Sequence, residues 1–441
     1  MNLKDKKYLV VGLGKTGIST ARFLLSKGAK VVISDSRAEF EHKQELEEFK
    51  NSGVMIELGG HTDKVFLWAD TIVLSPGVPY TIPQVQHALK SGIEVISEIE
   101  LASKFIDKPI IAVTGSNGKT TTTTMIYNIL KSSGLKVFLG GNIGTPLIDI
   151  AGSEQQFDYI LLELSSFQLQ GIKDFKPYIA VCLNIYPNHL DHHKDFSEYI
   201  NSKTKIFSNQ TTQQIAVINK DDSILRDRLE QIKAKIITFG HDAGADAHYQ
   251  GFVVSYEGDD YDLSKWKLIG KHNIENAMAS IIACRLVGCD TQVIKNSILE
   301  FNSLPHRIEY VREYKNARFF NDSKSTTPHS TLKALEAFDP PVILIAGGRD
   351  KGLDYSVFKE QVANKVKQLI LMGEASSKIK DIYENEVALQ VVSSLDSAVQ
   401  QAVSSLEKGD TILFSPACSS FDMFNSYEER GRKFKEIVQC L

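Results

Sequence analysis

Val113-Thr114-Gly115-Ser116-Asn117-Gly118-Lys119-Thr120 stands between an apolar run, Pro109-Ile110-Ile111-Ala112-Val113, and a segment from Thr121 to Lys131 in which Met125, Ile126, Ile129 and Leu130 recur at helical spacing. The run reads as a buried parallel strand and the spacing as a helix, so a strand, a glycine turn and a helix start follow in order. In that setting the backbone N–H groups from Gly115 to Thr121 point at a bound anion, and the helix dipole favours negative charge. Lys119 can reach terminal phosphates and the Thr120 hydroxyl can ligate magnesium. The usual phosphate loop carries a glycine five residues before Gly118; Val113 stands there, so this is a shorter variant built on Gly115 and Gly118. A tight turn that binds nothing would not explain why lysine and threonine directly follow the glycine.

The 441 residues exceed what one core holds and suggest about three domains of roughly 150 residues each. With a net charge of -4 and no long basic run, neither nucleic acid nor an anionic membrane is an expected partner. Met1 to Lys7 is polar and leads straight into a strand, unlike a signal peptide, and no apolar run approaches the roughly 18 residues of a membrane helix. Five cysteines, Cys182, Cys284, Cys289, Cys418 and Cys440, lack paired spacing, which fits a reducing cytoplasm and a role as small apolar side chains. No long exposed apolar stripe is visible, which points to a monomer.

In the first segment, Lys7 to Val11 forms a strand, Gly12-Leu13-Gly14-Lys15-Thr16-Gly17 opens a helix to about Lys27, and a second strand from Lys30 to Ser34 ends at Asp35. Glycines followed by an acid that could read a ribose hydroxyl make a dinucleotide fingerprint. Alone it predicts a nicotinamide dehydrogenase, although the same turn holds any diphosphate, or none. Strands at Asp70 to Leu74, closed by Ser75-Pro76-Gly77, and at Ile93 to Ser97 complete a parallel sheet with its site at the strand carboxyl ends.

The central segment continues with Lys136 to Leu139, a second glycine turn Gly140-Gly141-Asn142-Ile143-Gly144, and a strand Asp158 to Leu162 that delivers Glu163. A carboxylate ending a buried strand downstream of a phosphate loop is where nucleotide enzymes hold a metal ion. Another strand, Ile179 to Ile185, leads to Asn188-His189-Leu190-Asp191-His192-His193, whose spacing matches no zinc pattern; His192 and His193 read as solvated loop residues. The helix Phe196 to Phe207 presents Lys203 and Lys205, which by themselves indicate a solvated face. Asn273, at the start of the helix opened by Gly270-Lys271-His272, suits a helix cap.

From about Leu304 the alternation restarts, with strands near Ile308 to Val311, Arg318 to Phe320, Val342 to Ala346, Gln368 to Met372 and Thr411 to Phe414. Three polar loops, 321–326, 347–352 and 415–422, lie at successive strand ends and should converge on one edge as a ligand site.

Taken together, Thr-Gly-Ser-Asn-Gly-Lys-Thr at 114–120, Glu163-Leu164-Ser165-Ser166-Phe167-Gln168-Leu169, His272-Asn273, His306-Arg307 and Asn321-Asp322-Ser323-Lys324 resemble the shared set of the Mur ligases, over essentially the whole chain. Gly14 to Gly17 with Asp35-Ser36-Arg37, Gly141 to Gly144, and the tail from Ser415 through Arg430-Gly431 resemble the branch of that family that adds D-glutamate. The resemblance implies an α/β protein of three domains: a Rossmann-like domain for a UDP substrate over 1–97, a central P-loop ATPase-like domain over 98–303, and a C-terminal Rossmann-like domain for the amino acid over 304–441. It implies an ATP-dependent amide bond between UDP-N-acetylmuramoyl-L-alanine and D-glutamate, made through an acyl phosphate. Lys119, Glu163, His189, Lys203 and Lys324 would be catalytic. Two magnesium ions would rest on Thr120 and Glu163, and on His189 and a carbamylated Lys203. ATP would meet the loop Gly115, Ser116, Asn117, Gly118, Lys119, Thr120 and Thr121, together with Asn273, Arg307, Asp322 and Lys324. The UDP substrate would meet Lys15, Thr16, Asp35, Ser36, Arg37, Gly77, Asn142 and His189. D-Glutamate would meet Thr326, Lys351, Ser420, Phe421 and Tyr427, and closure of the domains would exclude water. A folylpolyglutamate-type ligase, a dehydrogenase and a nucleotide-regulated binding protein are the competing readings.

Overall fold

The computed structural model describes every residue except 1, 40–42, 155, 189–191, 267 and 269. Three sheets organise the chain, and each phosphate-loop or glycine turn expected from the sequence lies at the carboxyl edge of one of them.

The first sheet contains β1 (Lys7–Val11), β2 (Lys30–Asp35), β3 (Met55–Leu58), β4 (Thr71–Leu74) and β5 (Glu94–Ser97), in the order β3-β2-β1-β4-β5. All pairs are parallel. The chain reverses its direction of travel across the sheet between β1 and β4, which opens a crevice beside Gly12 and Ser75 at the strand ends.

The second sheet has nine strands: β6 (Ile110–Thr114), β7 (Val137–Gly141), β8 (Tyr159–Glu163), β9 (Ile179–Cys182), β10 (Ile215–Asn219), β11 (Lys235–Gly240), β12 (Ala247–Gln250), β13 (Val253–Tyr256) and β14 (Asp259–Asp262). Their order is β14-β13-β12-β11-β10-β9-β6-β8-β7. Uninterrupted apolar runs such as Ile110 to Val113 and Ile179 to Cys182 are fully buried, as strands covered on both faces require. The last three strands depart from the expected parallel pattern: β12, β13 and β14 form an antiparallel meander through Gly251 and Gly258, both at positive φ. Their alternation is polar outward and aromatic inward, with Tyr249, Tyr256 and Tyr261 buried.

The third sheet orders β15 (Glu309–Tyr314), β16 (Ala317–Asn321), β17 (Val342–Gly347), β18 (Val366–Met372), β19 (Ala388–Val391) and β20 (Thr411–Phe414) as β15-β16-β20-β17-β18-β19. It is parallel except for the edge strand β15, which is antiparallel to β16.

The chain forms two compact units, 1–262 with 276–297 and 263–275 with 298–441. Within the first unit the first two sheets share one apolar core, running from Leu3, Tyr8 and Leu24 through Ile99 and Leu101 to Leu147, Leu169 and Phe175. Glu100, fully buried in the helix Glu98–Ser103, stitches this junction: one carboxylate oxygen accepts the backbone N–H groups of Lys173, Asp174 and Phe175 at 2.9, 3.0 and 2.9 Å, and the other pairs with Lys104 at 3.1 Å.

Candidate active site

The loop 115–118 is shaped by two glycines that nothing else could replace. Gly118 has φ +83°, and a Cβ there would lie 2.3 Å from Asn276 Oδ1; Gly115 has φ +150° and faces Leu183. Asn184 holds the loop from the neighbouring strand end: its carbonyl accepts Ser116 N–H at 2.8 Å, and its Oδ1 accepts Asn117 N–H at 2.8 Å. The Ser116 hydroxyl donates to Tyr186 O, accepts Tyr186 N–H at 2.8 Å and lies 2.8 Å from the Tyr199 hydroxyl. Asn276 Oδ1 also accepts Thr122 Oγ1 at 3.2 Å. A helix, Lys119–Ser132, starts directly after Gly118, so Thr120 and Thr121 occupy its first turn.

Two ammonium groups converge on this loop. Lys119 Nζ donates to Gly115 O at 2.8 Å and Ser116 O at 3.0 Å, and Lys203 Nζ donates to the same Gly115 O at 2.8 Å. Lys203 is 2% exposed, sits over the Tyr199 ring and, among the described residues, forms no ion pair. Burial first, and then the charge of Lys119, push its pKa well below the ordinary lysine value. Lys205 donates to Gln170 O at 2.8 Å and Ile172 O at 3.4 Å. The expected solvated lysine face is therefore turned inward: the helix is Phe196–Thr204, and Lys205 begins a 3-10 turn.

Glu163 reaches the same place through strand register. β6 and β8 are parallel neighbours in which Val113 stands opposite Glu163, so the carboxylate emerges beside the first residues of the loop. It is 1% exposed; Oε1 accepts Asn142 Nδ2 at 2.7 Å, while Oε2 is buried without a hydrogen-bond partner among the described residues. A buried carboxylate oxygen left unbonded next to a phosphate loop suits a hard cation. No group of three His, Cys, Asp or Glu side chains is gathered for a metal among the described residues, and His189 lies outside them.

The histidines after this point differ from expectation. His193 is buried: Nε2 lies 2.9 Å from Ser166 Oγ, its ring stacks on Phe167, and Glu198 is 3.7 Å from Nδ1. Burial, and then His192, lower its pKa. His192 is half-buried, 4.0 Å from Phe167 between ring centroids. Phe167 and Tyr199, each with its ring 5.4 Å from that of His193, account for this burial.

At the first sheet, Gly12 is at φ +90°, and a Cβ on Gly17 would strike Gly12 O, so the helix starts hard against the strand. Asp35 is 3% exposed and already engaged: Oδ2 accepts Leu13 N–H at 2.7 Å, and Arg37 clamps both oxygens at 2.9 and 2.8 Å. Burial opposes its ionisation, but Arg37 and the Leu13 N–H prevail and hold the carboxyl at about 2. Ser36, Arg37 and Gly77 are exposed, and Thr16 is half-buried. Lys15 Nζ donates to Gly144 O at 2.9 Å, which ties the turn of the first sheet to the glycine turn of the second, where Asn142 lies.

In the second unit, the loops 321–326, 347–352 and 415–422 do meet. Arg349 N–H donates to Ser419 O at 2.9 Å, and Ser415 Oγ donates to Asp322 Oδ2 at 2.7 Å. Arg430, 1% exposed in the helix Tyr427–Gln439, joins two of these loops through Ser323 Oγ, Ser323 O, Cys418 O and Ser419 O at 2.9 to 3.2 Å. Burial lowers its pKa to about 10, still cationic at neutral pH. Asp322 is buried, which raises its pKa to about 6. Lys324 lies over the Tyr427 ring at 5.1 Å, Thr326 is half-buried, Ser420 is buried, and Lys351 and Phe421 are exposed. Asn273 is the third residue of the helix Lys271–Leu286 rather than its cap, and Arg307, half-buried, adds its charge to that of Lys333 beside His272.

Sequence reasoning omitted Asn184, Tyr199 and Arg430 from the site. Asn184 and Tyr199 act on the loop from 67 and 83 residues away, and Arg430 acts on backbone carbonyls, which any sequence supplies. The one available signal was a polar residue just past the buried run Ile179 to Cys182.

Comparison with known proteins gives three family matches in chain order: the N-terminal domain of MurD-like Mur ligases over residues 6–97, the Mur ligase middle domain over 113–284, and the Mur ligase glutamate ligase domain over 306–418. The UDP-N-acetylmuramoylalanine–D-glutamate ligases of Citrifermentans bemidjiense and Geobacter sp. strain M21 are each 42% identical to this chain, covering all of it and 99% of their own length. That of Pelobacter propionicus is 41% identical over the full length of both. Among solved structures, the Thermotoga maritima MurF ligase in complex with ADP aligns over 99% of this chain and 96% of its own at TM-score 0.63 and 17% identity. The T. maritima UDP-N-acetylmuramate-alanine ligase aligns over 99% of each at 0.60 and 19%; both likenesses concern the fold.

Proposed function

Because the chain belongs to the Mur ligase family, we propose that it joins D-glutamate to UDP-N-acetylmuramoyl-L-alanine as ATP is converted to ADP and phosphate, acting as a monomer in the cytoplasm. The observation that carries this reading is the register of β6 and β8, which sets the unbonded oxygen of Glu163 beside a loop bearing Lys119.

The chemical obstacle is charge, since a carboxylate must attack an anionic γ-phosphate. Loop N–H groups and Lys119 bind that phosphate, Lys119 leaving the carbonyls of Gly115 and Ser116 for it. Thr120 and Glu163, and a second time His189 and a carbamylated Lys203, would hold magnesium, which would supply neutralisation of the phosphate oxygens. Lys203 suits that task only as an anion. Its depressed pKa favours the neutral amine, the form that adds to carbon dioxide, and the resulting carbamate would turn a repelling cation into a ligand.

The UDP group rests on Lys15, Thr16, Asp35, Ser36, Arg37 and Gly77, with Asn142 and His189 nearer the sugar. Asp35 serves there chiefly by fixing Leu13 N–H and Arg37. Asn273, Arg307, Asp322 and Lys324 attend ATP. D-Glutamate, a dicarboxylate, is taken by Thr326, Lys351, Ser420, Phe421 and Tyr427, near a loop kept positive by the buried Arg430. Its amine attacks the acyl phosphate and phosphate leaves. The domain limits 1–97, 98–303 and 304–441 assign one ligand to each module.

Phosphate release measured with UDP-N-acetylmuramoyl-L-alanine, ATP, magnesium and D-glutamate, each omitted in turn, tests the reading. Release should require all four. Faster release with L-alanine, L-lysine, diaminopimelate or a folate substrate would overturn the D-glutamate assignment.

A further inference from the structure

The helix Lys271–Leu286 ends in a pair of reversed hydrogen bonds: Gly288 N–H donates to Arg285 O at 2.9 Å and Cys289 N–H to Cys284 O at 3.0 Å, with Gly288 at φ +84°. This terminus brings the side chain three residues before the cap residue Val287 against the one two residues beyond it, a contact that is ordinarily apolar. Here both positions are cysteine. Cys284 is fully buried and Cys289 is 5% exposed, and the neighbouring Cys284 thiol, with the Ser133 hydroxyl at the end of the helix Lys119–Ser132, lowers the Cys289 pKa to about 7.

We propose that Cys284 and Cys289 form a dithiol that hydrogen peroxide converts to a disulfide closing the end of this helix. The Cys289 thiolate attacks the peroxide, the O–O bond breaks, and a sulfenic acid and hydroxide form. The Cys284 thiol then attacks the sulfenic sulfur; its proton and the departing hydroxyl leave as water, and the S–S bond forms. Two thiols and one peroxide thus give one disulfide and two waters, and a dithiol reductant reverses the change. Burial assigns the order of events: Cys289 is the more exposed of the two and its pKa is the lowered one, while Cys284, whose pKa burial raises, lies fully buried as the resolving group. Two turns earlier on the same helix, Asn276 accepts the Thr122 hydroxyl from the helix that follows the phosphate loop.

The test uses the full chain in a Cys440→Ser background, because Cys440 is exposed and would react on its own. Five cysteines less Cys440 leave four thiols, and treatment with hydrogen peroxide under native conditions, followed by unfolding and thiol titration, should leave two. Peptide mapping should recover a 284–289 linkage that dithiothreitol removes. Adding Cys284→Ser should stop at a sulfenic acid on Cys289 that dimedone traps, and adding Cys289→Ser should leave Cys284 unreacted. Phosphate release by each untreated variant confirms folding. Retention of four thiols, loss spread onto Cys182 or Cys418, or dimedone capture at Cys284 in place of Cys289 would overturn the proposal.

Discussion

Two glycine turns, 12–17 and 115–118, each join a parallel strand to a helix start, and their charges are arranged in opposite ways. At the first, Asp35 spends its oxygens on Leu13 N–H and Arg37, so acid and base cancel inside the fold. At the second, Lys119 and Lys203 crowd one carbonyl, Gly115 O, each at 2.8 Å. The first turn is electrostatically closed; the second is short of anions. Similar spacing of glycines thus encodes a finished platform in one case and a cradle awaiting phosphate in the other.

The largest test of that contrast is Lys119→Ala. Removing the charge that meets the phosphate should lower phosphate release by roughly 10³-fold. Binding of the UDP substrate, followed by calorimetry, should change little; equal loss of both would erase the distinction between the turns. Lys203→Ala should fall almost as far and recover part of its activity when short-chain carboxylates are added, with a carbamate mass on the native protein as the companion measurement. Next comes Gly118→Ala, where the new Cβ meets Asn276 Oδ1 in a backbone conformation unfavourable to alanine. A loss of about 1–3 kcal/mol in unfolding free energy is expected, together with weaker ATP binding.

The first turn responds through stability. Because the folded pKa of Asp35 lies below its ordinary value, its contribution is present above about pH 4 and fades as the pH falls towards about 2. Asp35→Asn should therefore cost about 1–2 kcal/mol at neutral pH, and the gap from the parent protein in denaturant titrations should close on acidification. Smallest of all, Gly14→Ala should shift stability by under about 1 kcal/mol, since nothing lies within 4 Å of the added Cβ and φ is −75°.

The parts of the site that could be read from the sequence are those written in local chemistry. The phosphate loop, Glu163 at its strand end and the strands that carry the site loops follow from glycine placement and apolar periodicity, whereas β3, β10, β11 and β19 lie outside that reading. Burial of Lys203 was not readable, because Phe196 to Lys205 looks like any amphipathic helix until Tyr199 and the loop close over it. The meander of β12, β13 and β14 escaped for a similar reason: Asp259-Asp260-Tyr261-Asp262 carries three charges around the one tyrosine that anchors it. Arg430 illustrates a third limit, since apart from the Ser323 hydroxyl its partners are carbonyls of Ser323, Cys418 and Ser419, invisible in side-chain patterns.

The stitch made by Glu100 bears on how the protein melts. A buried carboxylate holding three amide protons across the junction, within an apolar core common to both sheets, couples the first two modules into one cooperative unit. Residues 1–262 should lose structure in a single calorimetric transition, and cutting the chain after Ser97 should leave two fragments that each expose half of a shared interior.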